Sequence, residues 1–416
     1  MTIQFIPLKT LIEQMRRKTE SEIEFMNTRR IKASLISFIE LNPRETIAKG
    51  YLAKKIGMDK LQPFFRDVPE YEIAEFKGGA KFRNGDTIMA RITPCLENGK
   101  TAMVNILDDN EVGFGSTEYI VFRAREGLTT PDFVYYLVNS PLVRNPAIKS
   151  MVGSSGRQRV QTDVVGNLEI CFPTIPEQVK IASILKSLDD KIALNNKINC
   201  NLEQQAQALF KSWFVDFEPF GGIKPESWKM GTLADICEYS KDKVNIDELS
   251  LETYYSTENM QPNRQGALPA SSLPAIKQTT ACGKGNVLIS NIRPYFKKIL
   301  YCYSDCGCSS DVLCFVPCKN NWSAFLYCTL YADKFFSYMV SGAKGTKMPR
   351  GDKQQIMMYP ICIPENEYLN RFNNIVSEML ETVNTNRTEN KALTGIRDTL
   401  LPKLMSGEID VSEIAL

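Results

Sequence analysis

Residues 177–214 read EQVKIASILKSLDDKIALNNKINCNLEQQAQALFKSWF, and this stretch decides the fold. Within it Ile181, Leu185, Leu188, Ile192, Asn195, Asn199, Leu202, Ala206, Leu209 and Trp213 recur at alternating steps of four and three. That is the spacing of a coiled-coil seam, so Glu177–Phe214 is expected to form one helix. The pattern returns 191 residues later in Phe372, Val376, Met379, Val383, Asn386, Asn390, Leu393, Arg397, Leu400 and Leu404. A helix of this length spans roughly 55–60 Å, longer than most single-domain cores need, so each acts as a spacer. A parallel pairing of the two seams would set Asn195 against Asn386. An antiparallel one would set Asn195 near Asn390 and Asn199 near Asn386. Such polar seam pairs fix register at a cost in stability, and spacing alone leaves the direction open.

Working outward, the segments before the two seams are also duplicated. Gly85–Pro94 resembles Gly285–Pro294, and Gly115-Ser116-Thr117-Glu118 with Phe122 matches Cys308-Ser309-Ser310-Asp311 with Phe315. Gly153–Arg159 aligns with Gly342–Met348, and Cys171-Phe172-Pro173 with Cys362-Ile363-Pro364. Short apolar runs such as Thr87–Ile92 and Tyr119–Phe122, bounded by Gly, Asn and Asp, are expected strands. Pro131–Val138 begins a helix, and Asn321–Met339 takes the corresponding place in the second half. The globular parts are therefore α+β. Breakers Pro219, Gly221, Gly222 and Pro225 mark a boundary after the first spacer, and Met405-Ser406-Gly407 closes the second, leaving a tail expected to be peripheral.

Composition excludes several function classes. The 416-residue chain contains no histidine, which removes imidazole bases and the usual His metal ligands. With 50 Lys and Arg against 48 Asp and Glu, global charge does not hold a polyanion, so a nucleic-acid reader would need local basic faces. Neither a Gly-x-x-x-x-Gly-Lys-Ser/Thr loop nor an Asn/Asp-Pro-Pro-Tyr/Phe motif occurs. Cys302, Cys306, Cys308, Cys314 and Cys318 fall within 17 residues but lack a paired zinc spacing, so buried thiols are favoured over a metal. Acidic residues near the amino end and the lack of an apolar span favour a cytoplasmic protein away from membranes.

Local basic faces are present in duplicate. Arg144, Lys149, Arg157 and Arg159 carry no acid among them, with Ser154 and Ser155 beside Gly153 and Gly156. Lys344, Lys347, Arg350 and Lys353 answer them, with Thr346 beside Gly345 and Asp352 as the one acid. Glycines allow close backbone approach, hydroxyls donate to phosphates or bases, and the cations offer phosphate contacts. A second candidate pair of faces comprises Arg91 with Lys100, and Arg293 with Lys297 and Lys298, near Pro94 and Pro294. For the first pair of faces an exposed connecting turn is the competing assignment, and for the second it is structural salt bridging.

The whole arrangement resembles the specificity subunit of a type I DNA restriction–modification complex. The resemblance rests on Pro173-Thr174-Ile175-Pro176-Glu177-Gln178 at the entry to the first helix and Leu209–Phe217 at its exit. It rests further on Trp228-Lys229-Met230-Gly231-Thr232-Leu233 opening the second globular part and Leu400–Ile409 closing the chain. Ile3–Leu8 is the expected counterpart of Trp228–Leu233, without its tryptophan and glycine.

The resemblance implies two similar globular target-recognition domains, separated and connected by two long helices forming an antiparallel coiled-coil-like spacer. The expected division is 1–173, 174–217 for the first spacer and exit, 218–227 as linker, 228–364, 365–407 for the second spacer, and 408–416 as tail. It also implies a non-catalytic chain that addresses partners to a bipartite site on double-stranded DNA. Those partners would be two methyltransferase subunits using S-adenosylmethionine for adenine-N6 methylation, and up to two motor-nuclease subunits using ATP and magnesium. A non-DNA structural scaffold and an autonomous enzyme are the alternatives.

Overall fold

The computed structural model describes residues 30–154 and 156–411. The described residues divide into two units, those of 30–194 with 390–411 and those of 195–389. Each holds a globular body and one stretch of each of two long helices, Ile175–Phe214 and Asn366–Ser406. The first helix starts two residues ahead of the expected Glu177, because Pro176 is tolerated in a first turn where its missing N–H costs nothing. No helix among the described residues is long and apolar enough to cross a membrane.

In the first unit the strands Ile39–Leu41, Tyr119–Ala124, Thr87–Ala90 and Thr101–Met103 form an antiparallel sheet in that order. A second sheet runs Glu72–Glu75, Leu52–Ile56, Gly113–Gly115, Lys81–Phe82, with its central pair parallel. Helix Pro131–Asn139 packs six consecutive buried residues, Phe133 to Val138, into the core. Its start is set by Pro131 and by Thr130, whose hydroxyl accepts the Phe133 N–H at 3.4 Å. Asp189 and Arg397, one on each long helix, form an ion pair at 2.8 Å inside this unit.

The second unit repeats the first sheet as Cys237–Tyr239, Val312–Pro317, Val287–Ser290 and Ile299–Tyr301. Its second sheet runs Lys243–Asn245, Gln278–Cys282, Cys306–Cys308, Tyr254–Tyr255. The parallel and antiparallel pairs around Cys306–Cys308 match those around Gly113–Gly115, but the outer strand is attached at the opposite edge. The expected Asn321–Met339 helix is broken at Ala332, whose extended backbone separates Ser323–Tyr331 from Asp333–Ser341. Here Asn386 donates to Asn199 at 2.8 Å and Asn195 donates to Glu389 at 2.7 Å, so rising numbers on one helix meet falling numbers on the other. The helices are antiparallel in this unit.

Two expectations are corrected. Ile3–Leu8 lies outside the described residues, and among these the first unit's counterpart of Lys229–Thr232 is the strand Ile31–Ser34. It pairs with Glu169–Phe172 as Lys229–Thr232 pairs with Pro360–Ile363. The match extends to the backbone, where Leu35 donates to Leu168 and Leu233 to Tyr359, both at 2.9 Å. The tail is not peripheral through its described length, because Val411 is fully buried and Ile409 packs on the same core as Leu404 and Met405. The turn that brings it there uses Gly407 at φ +82, where a β-carbon would strike the Arg30 guanidinium.

The cysteine group divides as well. Cys302, Cys306, Cys308 and Cys314 join Cys282 in a buried cluster, while Cys318 is exposed. Cys282 faces Cys306 where Phe82 faces Gly113 in the first unit, so small thiols share the space that one ring fills there. Among the described residues no group of three or more His, Cys, Asp or Glu is arranged to hold a metal ion.

Candidate nucleic-acid interface

Three chain segments meet at one place in each unit, through the same backbone hydrogen bonds. In the first unit Arg91 N–H donates to Glu118 at 2.9 Å, Val160 to Arg91 at 2.8 Å and Thr93 to Gln158 at 3.0 Å. In the second Asn291 donates to Asp311 at 2.8 Å, Gly351 to Asn291 at 3.2 Å and Arg293 to Pro349 at 2.8 Å. The loop between is closed by a reciprocal pair, Val152 with Arg159 and Lys344 with Arg350. The register is thus Val152 to Lys344 and Arg159 to Arg350. This corrects the alignment of Gly153 with Gly342, and the second loop is one residue shorter.

Each loop turns on a glycine directly after its base, Gly153 at φ +135 and Gly345 at φ +103, a region that side chains rarely adopt. At Gly153 a β-carbon would also lie 2.9 Å from the Arg157 carbonyl oxygen. Ser154 and Thr346 follow these glycines and are exposed, while Ser155 lies outside the described residues.

The charges at the junctions are partly neutralised by acids that linear reading did not associate with them. Glu118 accepts from Arg159 Nε at 3.0 Å and Nη2 at 2.7 Å, and Arg91 Nε lies 3.5 Å from the same carboxylate. These arginines hold the Glu118 carboxyl below its usual range, the Arg159 hydrogen bonds contributing most. Asp311 occupies the equivalent place, 3.1 Å from Arg350 Nη2. Lys344 pairs with Asp352 at 2.6 Å, and Lys297 with Asp333 at 2.7 Å. Arg157 and Lys347, both exposed at the loop tips, have no ion-pair partner among the described residues.

Not every candidate stands at the junction. Lys100 donates to the Met58 carbonyl at 2.8 Å and Lys298 to the Thr257 carbonyl at 2.6 Å, so both half-buried ammonium groups fasten loops. Arg144 is half-buried, stacks 5.2 Å from the Phe64 ring and donates to the Glu97 carbonyl at 2.9 Å. Burial lowers the pKa of both Lys298 and Arg144. These three are corrected from free cations to structural fasteners. Arg293 joins the second junction by donating to the Lys347 carbonyl at 3.5 Å. Lys149 is exposed at a helix end, and Lys353 is exposed 6.0 Å from the Tyr239 ring.

Sequence reasoning passed over Glu118 and Asp311, although both stand in the aligned repeat, and over Tyr295 and Phe296. These two aromatic side chains are exposed in the turn between Arg293 and Lys297.

Comparison with known proteins bears on what such a doubled junction does. A family model described as the type I restriction modification DNA specificity domain matches residues 38–204. The MjaIX type I restriction enzyme specificity subunit of Methanocaldococcus jannaschii is 27% identical, over 68% of this chain and 70% of that protein. The HindI specificity subunit of Haemophilus influenzae is 26% identical, over 81% of this chain and 90% of that protein. Among solved structures, the S subunit of a type I restriction–modification system from M. genitalium superposes with a TM-score of 0.55. It has 18% identity and covers 91% of this chain and 97% of that one.

Proposed function

We propose that the chain is a type I restriction–modification specificity subunit, a reading supported by the family model over residues 38–204 and by relatives 27% and 26% identical, and that its two loop junctions each read one half of a bipartite site on double-stranded DNA. As a specificity subunit it is the DNA-recognition and assembly component, and it is non-catalytic, the catalytic activities residing in partner subunits. The observation that carries the reading onto named residues is the repetition of one backbone junction with a free cation at each loop tip, Arg157 and Lys347.

Backbone bonding makes each loop base rigid, while the glycine and hydroxyl at its start leave room for a phosphate or base edge. In this reading Arg157, Lys347, Ser154 and Thr346 position the duplex, and Arg91, Arg159, Arg293 and Arg350 lie where base edges are read. Sequence selection then depends on side chains whose backbone is already ordered, which lowers the entropic cost of binding.

The partners in this reading are two methyltransferase subunits that bind S-adenosylmethionine and methylate adenine N6, which requires the base to leave the duplex. Up to two motor-nuclease subunits, using ATP and magnesium, complete a restriction complex acting in the cytoplasm. The test is a DNA-selection experiment on the chain reconstituted with its methyltransferase partner. The expected result is enrichment of two short defined blocks separated by unspecified bases. Enrichment of nothing, or of one uninterrupted block, overturns the bipartite reading.

A further inference from the structure

The two junctions share one feature that phosphate binding does not call for. Each places a carboxylate against the arginine at the base of a loop that otherwise offers cations. Glu118 meets the Arg159 guanidinium through two nitrogens, and Arg91 lies on its other side. Asp311 meets Arg350 through one nitrogen. None of the four is buried, Glu118 being 23% exposed and Arg350 58%, so both partners of each pair are open to solvent. The acids reach their arginines from strand ends fixed by the same backbone bond, Arg91 N–H to Glu118 and Asn291 N–H to Asp311. A negative charge on a DNA-facing surface weakens attachment to any sequence, and this one is present twice.

We propose that Glu118 and Asp311 are specificity determinants that hold Arg159 and Arg350 back from indiscriminate phosphate contact. This rests on the DNA-recognition reading above. The discrimination follows from hydrogen-bond chemistry. A phosphate offers acceptors only, so it satisfies a released guanidinium but leaves the carboxylate unpaired beside another anion. The major-groove edge of a base pair offers acceptors together with an exocyclic amino donor, so it satisfies both members of the pair. Non-specific DNA must therefore break an ion pair without replacing the carboxylate's partner, whereas the correct base edge replaces both.

The two pairs are not equivalent in strength. Glu118 is held by two arginines, whereas the residue equivalent to Arg91 in the second unit is the neutral Asn291. The first restraint is the tighter, so its removal is felt more.

The experiment uses the chain reconstituted with its methyltransferase partner. Affinity for the selected duplex and for a scrambled duplex is measured by fluorescence anisotropy across a salt series. Glu118→Gln keeps shape and backbone bond while removing the charge. It is expected to tighten binding to scrambled DNA about tenfold and to steepen the log-affinity against log-salt slope by about one. The preference for selected over scrambled DNA falls correspondingly, and Asp311→Asn moves the same way by less. In an Arg91→Ala/Arg159→Ala background, which removes both arginines that Glu118 holds, the effect of Glu118→Gln on the slope disappears.

An unchanged slope and preference for Glu118→Gln overturns the proposal. So does equal weakening on both duplexes with a lowered Tm, which would mark a merely structural ion pair, and so does a slope change that persists undiminished in Arg91→Ala/Arg159→Ala. A wild-type complex that does not distinguish the two duplexes overturns the recognition reading itself, and the restraint with it.

Discussion

Replacing Arg397 by leucine tests the energetics of helix pairing within the first unit. The Arg397 and Asp189 side chains are 12% and 8% exposed and meet at 2.8 Å. The Tyr136 hydroxyl donates to the second Asp189 oxygen at 2.8 Å, and Arg397 also donates to the Phe64 carbonyl at 3.4 Å. Arg397→Leu leaves the carboxylate in place with its main counter-charge gone. Removing one partner of such a buried pair costs about 3–5 kcal/mol, because the remaining ion cannot regain its water. For a unit of this size that corresponds to a fall in Tm of about 6–20 °C.

The double variant Asp189→Leu/Arg397→Leu removes both charges and restores an apolar seam. Tyr136 then loses its acceptor, so a deficit of about 1 kcal/mol remains. Urea unfolding of the two single variants, the double variant and the wild type gives the coupling energy directly. The reasoning is refuted if Arg397→Leu costs less than 1 kcal/mol, or if the double variant is no more stable than the single.

Other expectations follow from the same geometry. Arg157→Ala and Lys347→Ala should each weaken binding to any duplex and reduce the salt slope by about 0.9, without altering which sequence is preferred; anisotropy in a salt titration checks this. Asn199→Leu/Asn386→Leu should raise the unfolding midpoint in urea while lowering the population with a single register, seen as added NMR resonances for the helix residues. Inserting seven residues into each long helix adds about 10 Å to each, so the gap between selected half-sites should grow by about three base pairs in a target-sequencing assay. Asp333 is held down to about 2 by Arg264 and Lys297, against 3.8 for a free aspartate. A depressed carboxylate stabilises above the unfolded value and loses that contribution as pH falls from 3.8 toward 2. Acid unfolding of Asp333→Asn should therefore be less steep in that window than that of the wild type.

The long helices were legible because seam periodicity survives over ten positions and is copied at a constant offset, a signal that needs no knowledge of what the seam meets. Helix direction was not legible, since the asparagine spacing suits both pairings; only the bond from Asn386 to Asn199 decides it in the second unit. The role of Ile31–Ser34 was missed for a related reason. Ile3–Leu8 and Ile31–Ser34 are both short apolar-polar runs, and what distinguishes the second is its partner Glu169–Phe172, far along the chain. At the site, the cation-rich loops were visible as local composition. Their neutralisation was not, because Glu118 lies 41 residues from Arg159 and Asp311 lies 39 from Arg350. Lys100 and Lys298 fail as free cations because the carbonyls that capture them come from remote loops.

What the two units share and where they differ separate the frame of the site from what it presents. The backbone bonds of the junction, the positive-φ glycine and the arginine–carboxylate pair are present in both. The backbone bonds and the glycine fix where a loop stands, and altering either displaces the contacts the loop makes, while the ion pair sets the charge the loop base presents. The differences fall on parts that leave the frame intact. Arg91 is replaced by Asn291, the second loop is one residue shorter, Ser154 becomes Thr346, and the outer strand of the second sheet joins at the opposite edge. A duplicated reader that kept both frame and presentation would recognise the same half-site twice. One that kept only the frame can read two unlike half-sites with equal geometric precision. The formal charge of +2 fits that division, because each junction carries its own carboxylate and keeps only a few cations free. If the proposed restraint holds, attraction to DNA in general is thereby kept small, and the contacts that depend on base identity decide where the chain settles.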